Sequence, residues 1–193
     1  MEPSELSDAP PYPLKRFSVD EWHRIIDVGV FSEDDHLELL EGMVVQMTPQ
    51  GRSHMRLIDV LNRFLTKGLG DEFWVRVQGP LTLADSEPEP DVAVVTREEE
   101  ERSPRHPRTA LLVVEVADSS GSTDRRVKSR IYARAGVPEC WIADIENGQV
   151  EVHTRPDPAS GTYGSLRVAK QGEALRPTSL PGLSIAVAAL FVK

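Results

Sequence analysis

The sequence predicts an α/β or α+β domain with strands and helices mixed around one central sheet. Three observations predict it. Residues 53–70 and 122–139 carry apolar side chains at helical spacing. Short apolar runs of strand length lie between them, at 73–84, 91–95 and 108–118. Asn147-Gly148 sits between two alternating segments, the strongest short hairpin signal. No repeat or linker interrupts the chain, and its 193 residues suit one domain with a sizeable core.

Each element has its own local reason. Ser18-Val19-Asp20-Glu21 is a capping-box pattern, so a first helix is expected over DEWHRIIDVG, stopping at Gly29. LELLEGMVVQM, residues 37–47, reads as two short strands around a Glu-Gly turn. In SHMRLIDVLNRFLTKGLG, Met55, Ile58, Leu61, Leu65 and Leu69 mark the buried side. Ser53 is the expected cap, and Gly68 and Gly70 end the helix. FWVRVQGPLTLA alternates and reads as a strand broken near Gly79-Pro80. A strand is expected at Asp91–Val95. RTALLVVEVAD, the most apolar run, is expected as a central buried strand. In STDRRVKSRIYARAGVPE, Ser122, Thr123 or Asp124 caps a helix that buries Val127, Ile131 and Ala135. Gly136 and Pro138 stop it. CWIADIENGQVEVHT is the hairpin, and the tail supplies one more strand and a closing apolar segment.

Composition narrows the function classes. The chain is 39% apolar and 27% charged, an ordinary globular mix, and no stretch approaches the ~20 apolar residues of a membrane span. The first residues, MEPSELSDAPPYPLKRFS, lack the basic start and apolar core of a secretory signal. Residues 1–13 are expected to form a flexible, proline-rich arm and 14–193 the single domain. Cys140 is the only cysteine, which excludes an internal disulfide and fits a reducing cytoplasm. A net charge of −9 argues against a protein that coats nucleic acid. Yet the window from Arg102 to Arg134 holds eight basic residues against three acidic, a local +5. That window is either a basic face for phosphates or a solvated helix surface. Trp22, Trp74 and Trp141 are too scattered for a base-stacking platform, and core packing is the simpler account.

Two carboxylates stand where burial is costly. Asp91 opens the apolar strand in EPEPDVAVV, and Glu115 sits inside LLVVEVA. On neighbouring strands they would share one point at the sheet edge, and each would raise the other's pKa unless a cation lay between them. Mg²⁺ or Mn²⁺, hard cations with oxygen ligands, are the natural partners. Lys128, one turn into the following helix, could reach back over the strand ends. Asp, Glu and Lys around a metal form a toolkit for phosphodiester hydrolysis. The bland reading of any one of them is a buried ion pair without chemistry. The three together favour function.

With these residues goes an ordered set of motifs: LELLEGMVV, PDVAVV, LLVVEVADSS, the Asp-Arg-Arg-Val-Lys run and YARAGVPECWIAD. The set resembles the Uma-two family, restriction-endonuclease-like proteins of the PD-(D/E)xK nuclease superfamily, over residues 14–190. The resemblance implies a restriction-endonuclease-like fold, a central mixed sheet flanked by helices with the metal site at the strand ends. It assigns Asp91 to the Asp of PD and Glu115 to the acidic position of (D/E)xK. Two residues on stands Ala117 rather than lysine, and the matching lysine is Lys128 on the next helix. Cys140 occupies a position where the family pattern has an aromatic residue, so a small buried cysteine packing the sheet is expected.

Other residues are candidates. Glu38, in the segment resembling the family's Glu-Leu stretch, either orients water or binds a second metal, or is an exposed strand residue. His54 is either near a ligand or a capping residue. Gln78 either faces the site or sits on a half-exposed strand. Asp124 is expected to cap the Lys128 helix, and Asp118, Ser119 and Ser120 either contact phosphate or turn the chain. His153 is expected to be structural. The first functional reading is a Mg²⁺-dependent endonuclease on DNA. Asp91 and Glu115 hold the metal, Lys128 assists the water, and Arg125, Arg126 and Arg130 engage phosphates. One site cuts one strand, so duplex cleavage calls for a homodimer. The second reading is a nucleic-acid-binding or interaction protein that keeps the fold without catalysis. Metal binding at the two carboxylates separates them.

Overall fold

A computed structural model of the protein describes residues 13–47, 49–117 and 122–191, and at residues 33 and 122–125 the backbone alone. Residues 1–12 of the expected arm, the loop residues Asp118, Ser119 and Ser120, and the side chains of Ser122, Thr123, Asp124 and Arg125 lie outside that description.

Helix α1 spans Val19–Asp27 and begins with the full capping box. The Ser18 hydroxyl accepts from the Glu21 amide, and the Glu21 carboxylate accepts from the Ser18 amide. Its buried residues Val19 and Trp22 pack on Leu39. Strands β1 (Leu37–Leu40) and β2 (Met43–Gln46) form a hairpin of their own, with Leu40 opposite Met43. Glu41 and Gly42 both have positive φ, 49° and 76°, as a two-residue hairpin turn requires. A Cβ on Gly42 would lie 2.8 Å from Arg16 Cβ and 2.9 Å from the Phe17 carbonyl oxygen.

Helix α2 (Arg52–Gly68) buries Leu57, Ile58, Leu61 and Leu65. Its cap is Gly51, not Ser53, because the helix starts at Arg52, two residues earlier than a Ser53 cap would allow. Met55 remains 39% exposed, since it falls at the margin of the stripe centred on Leu61. Strands β3 (Phe73–Val77) and β4 (Val92–Thr96) pair antiparallel. Trp74 is not a core residue. It sits on the edge strand β3, 42% exposed, with the Arg97 guanidinium 5.1 Å from its ring centre. A short helix absent from the sequence reading, α3 (Arg97–Arg102), follows. It buries nothing, so no apolar period announces it, although Thr96 caps it by accepting from the Glu99 amide.

Strand β5 (Leu112–Ala117) is buried along its whole length. Helix α4 (Ser122–Arg134) then crosses to β6 (Glu139–Asp144), and β5–β6 is the one parallel pair of the main sheet. Strands β7 (Gln149–Asp157) and β8 (Thr162–Ala169) complete an antiparallel meander. The order is β3-β4-β5-β6-β7-β8. The β6–β7 turn spans Ile145–Gly148, two residues longer than a minimal Asn-Gly turn, because the Asp144 carboxylate accepts from the Asn147 amide and caps it. The tail adds a small antiparallel pair, β9 (Ala174–Leu175) with β10 (Ile185–Ala186), and α5 (Val187–Leu190).

Strand alternation sorts the core. Val92, Val94, Leu112, Val114 and Trp141 face the α2 layer. Ala93, Val95, Val113 and Cys140 face the α4 layer with Ile131 and Tyr132. Glu115 has the parity of Val113, so it points toward α4. Cys140 is fully buried, and burial raises its thiol well above the usual range. Among the described residues no helix is long and apolar enough to cross a membrane.

Gly42→Ala is expected to destabilise the fold by about 1–3 kcal/mol, through left-handed strain and the clash with Phe17. Urea denaturation measures it. An unchanged midpoint would mean that the turn relaxes freely.

Candidate active site

The site forms where the β1–β2 hairpin, the loop before β4, the end of β5 and one face of α4 meet. Asp91, Glu115, Lys128 and Glu38 are 4%, 7%, 6% and 4% exposed. The Lys128 ammonium lies 3.0 Å from Glu38 Oε2 and 4.0 Å from Glu115 Oε1. It donates to the Glu89 carbonyl oxygen at 3.2 Å. Glu38 Oε2 also accepts from the Glu89 amide at 3.0 Å, so Glu38 is a buried anchor and not an exposed strand residue. Lys128 therefore reaches the carboxylates from the next helix, in place of a lysine two residues after Glu115.

Asp91 is held from both sides. Its Oδ2 accepts from the Val116 amide at 2.7 Å, which ties the start of β4 to the end of β5. Its Oδ1 accepts from Gln50 Nε2 at 3.0 Å and lies 2.9 Å from His54 Nε2. Gln78, in a left-handed backbone conformation, donates to Gln50 Oε1 at 2.7 Å. His54 thus contacts Asp91 itself, and Gln78 supports it through Gln50. Glu115 Oε1 accepts from the Tyr132 hydroxyl at 2.6 Å. Burial and the neighbouring Glu115 raise the Tyr132 phenol well above its usual range, so it stays a donor.

Four carboxyl groups, Glu38, Glu89, Asp91 and Glu115, act on one another's charge here, and the Lys128 ammonium contacts Glu38 and lies 4.0 Å from Glu115. Burial pushes the Glu115 carboxyl up to about 8. Asp91 and Glu38 add to that, while Lys128 and the Tyr132 hydrogen bond oppose it. Glu89 is raised by burial and then by Glu38. Among the described residues, Lys128 and His54 are the basic side chains in contact with these carboxyl groups. Among the described residues no three or more His, Cys, Asp or Glu side chains are grouped so as to hold a metal ion. Mg²⁺ does not need such a group, since it is commonly bound through one or two carboxylates and keeps several waters. The donor set fits such an ion. Asp91 and Glu115 offer hard oxygens: Asp91 Oδ2 and Glu115 Oε1 each accept one hydrogen bond and keep a second lone pair, whereas Asp91 Oδ1 is engaged by both Gln50 and His54.

The arginines are less available than their charge suggests. Arg130 forms a fork with Glu41, both contacts at 2.8 Å, and Arg134 joins the same carboxylate at 2.8 Å. They clamp α4 to the hairpin turn. Arg126 is exposed, and the Arg125 side chain lies outside the described residues. His153 lies 3.3 Å from Glu151 and against the Tyr163 ring, on the hairpin away from the carboxylates. Sequence reasoning passed over Tyr132, Gln50 and Glu89. Tyr132 stands four residues after Lys128, one helical turn on, which is a readable signal. Gln50 and the Glu89 backbone carry none.

Residues 19–188 match the model of the Uma2 family, described as "Putative restriction endonuclease". Among curated proteins none matches the chain. Among solved structures, the chain is similar to the crystal structure of a putative nuclease belonging to DUF820 from Anabaena variabilis ATCC 29413. The identity is 16%, the TM-score 0.73, and the match covers 91% of this chain and 97% of that one. At that identity the likeness establishes a shared fold.

The raised Glu115 carboxyl makes the metal-free protein sensitive to pH. The folded state holds a proton that the unfolded chain releases near 4.5, so stability is full below that and is lost as pH rises to about 8. The loss is at most about 1.4 kcal/mol per pH unit for one proton. Urea titrations across this range are expected to show the decline in wild type and a flatter profile in Glu115→Gln. Equal profiles would mean that Glu115 titrates normally.

Proposed function

Because the chain belongs to the Uma2 family, we propose that it is a nuclease dependent on a divalent metal, hydrolysing phosphodiester bonds in DNA. The observation that carries this reading is the buried cluster itself, Asp91 and Glu115 at the joint of β4 and β5 with the Lys128 ammonium 4.0 Å from Glu115. Asp91 and Glu115 would hold Mg²⁺ or Mn²⁺. The metal, when bound, polarises a phosphoryl oxygen and acidifies a water.

The protein's own residues do the rest. Gln50, His54 and the Val116 amide fix the Asp91 carboxylate, so its free lone pairs keep one direction. Tyr132 fixes Glu115 in the same way. Glu38 and the Glu89 carbonyl hold the Lys128 ammonium over the site. A charged lysine there orients the attacking water and offsets charge developing on the phosphorane oxygens. Glu38 acts in this reading as the positioning residue for Lys128. Arg126 and the adjacent Arg125 are the arginine pair proposed to meet phosphates. Arg130 serves only if it leaves Glu41. Duplex cleavage would use a homodimer, one site for each strand.

Calorimetric titration with Mn²⁺, beside nicking of supercoiled plasmid, tests the reading. Asp91→Ala and Glu115→Ala are expected to lose both binding and nicking. Lys128→Met is expected to keep metal binding and to lower cleavage by roughly 10²–10⁴-fold. Wild-type protein that binds no metal would sink the reading.

A further inference from the structure

A chamber of about 510 Å³ opens beside the carboxylate cluster, between α1, β1 and the loop that leads from Gln78 to Glu89. Its volume falls within the range of about 300–1,000 Å³ usual for small-ligand sites. It is continuous with the proposed metal site, because Glu38 and Glu89 line both. Half-buried apolar side chains, Ile26, Phe31 and Met47, form part of its wall. Gln78 supplies an amide there.

The charge of the lining decides what can enter. Among the described residues the chamber has no lysine or arginine; Glu38, Glu87 and Glu89 line it with two histidines, His36 and His106, and burial lowers the His106 imidazole below its usual range, toward the neutral form. A phosphate would meet three carboxyl groups there and no lysine or arginine to offset its charge. A flat, uncharged group with a polar edge fits instead. It would lie against Phe31 and Met47 and turn that edge toward Gln78 and the carboxyl groups. A nucleobase has this character, and base stacking on aromatic rings is tolerant of sequence. A base within an intact duplex cannot reach a side chamber, because its faces are stacked and its edge is paired.

We propose that this chamber holds one unpaired nucleobase of the DNA strand whose phosphate lies at the carboxylate cluster, so that single-stranded or locally unpaired DNA is the preferred substrate. The proposal rests on the nuclease reading above for the position of that phosphate. It deepens that reading from DNA in general to DNA with an unpaired nucleotide at the point of cleavage.

The test uses three DNAs of one sequence: a single strand, a duplex with one bulged base, and a fully paired duplex. Each carries 2-aminopurine at the same place, bulged or single in the first two. Binding is read by fluorescence with Ca²⁺, and cleavage with Mn²⁺. Wild type is compared with Ile26→Trp, which fills the chamber, and Phe31→Ala, which removes a stacking face. Thermal melts verify that each variant folds, and either variant alone suffices. Expected are at least tenfold higher kcat/KM on the two unpaired substrates and a 2-aminopurine response with those two alone. Both are expected to be lost in the variants, with Mn²⁺ affinity unchanged. Equal cleavage of all three DNAs, or a fluorescence response unaffected by both variants, overturns the chamber. Absence of cleavage on every DNA overturns the nuclease reading instead, and the fluorescence comparison still decides whether the chamber takes a base.

Discussion

A buried lysine held against buried glutamates is the constraint on which this structure turns. Lys128 reaches Glu38 at 3.0 Å and Glu115 at 4.0 Å from a helix that neither glutamate belongs to. Removing such charges from water is expensive, and only close partners with further hydrogen bonds offset the cost. The Glu89 backbone supplies those hydrogen bonds from both its amide and its carbonyl. The small β1–β2 sheet, separate from the main one, is thereby fastened to α4 and to the loop before β4. The Glu41 fork with Arg130 and Arg134 makes a second fastening a few residues away.

The sheet topology explains why the site is where it is. The β5–α4–β6 crossover is the one parallel connection in a sheet that is otherwise a meander. Such a crossover carries the chain over one face, so α4 must pass the ends of β4 and β5. Here the antiparallel order gives way to the parallel pair at β5, and Glu115 and the Val116 amide lie near its carboxyl end.

Charge bookkeeping by composition misleads for this chain. The basic window between Arg102 and Arg134 is largely neutralised in place. Arg102 pairs with Glu98, Arg105 with Asp27, and Arg130 and Arg134 with Glu41. In the nuclease reading, attraction for a polyanion would therefore come from the cation proposed at the site together with Arg125 and Arg126, and not from the arginines already paired. A preference for bases over phosphates in the adjoining chamber would follow from the glutamates that line it.

Local order was legible in the sequence. The capping box, the Glu-Gly turn, the period of α2 and the uninterrupted apolar run of β5 each depend on neighbours a few residues apart. Asp91 and Glu115 also stood out, because a carboxylate inside an apolar run is costly wherever the run is buried. Other features were not legible. Met55 and Trp74 looked like core residues until the stripe and the sheet edge were placed, and α3 had no apolar face to reveal it. Glu38 with Lys128, His54 with Asp91 and Tyr132 with Glu115 are meetings of side chains brought together by chain crossings. Sequence by itself determined which segments fold locally and which charges needed partners. Only the tertiary structure decided who those partners are, because spacing along the chain does not encode contact across 37 or 90 residues.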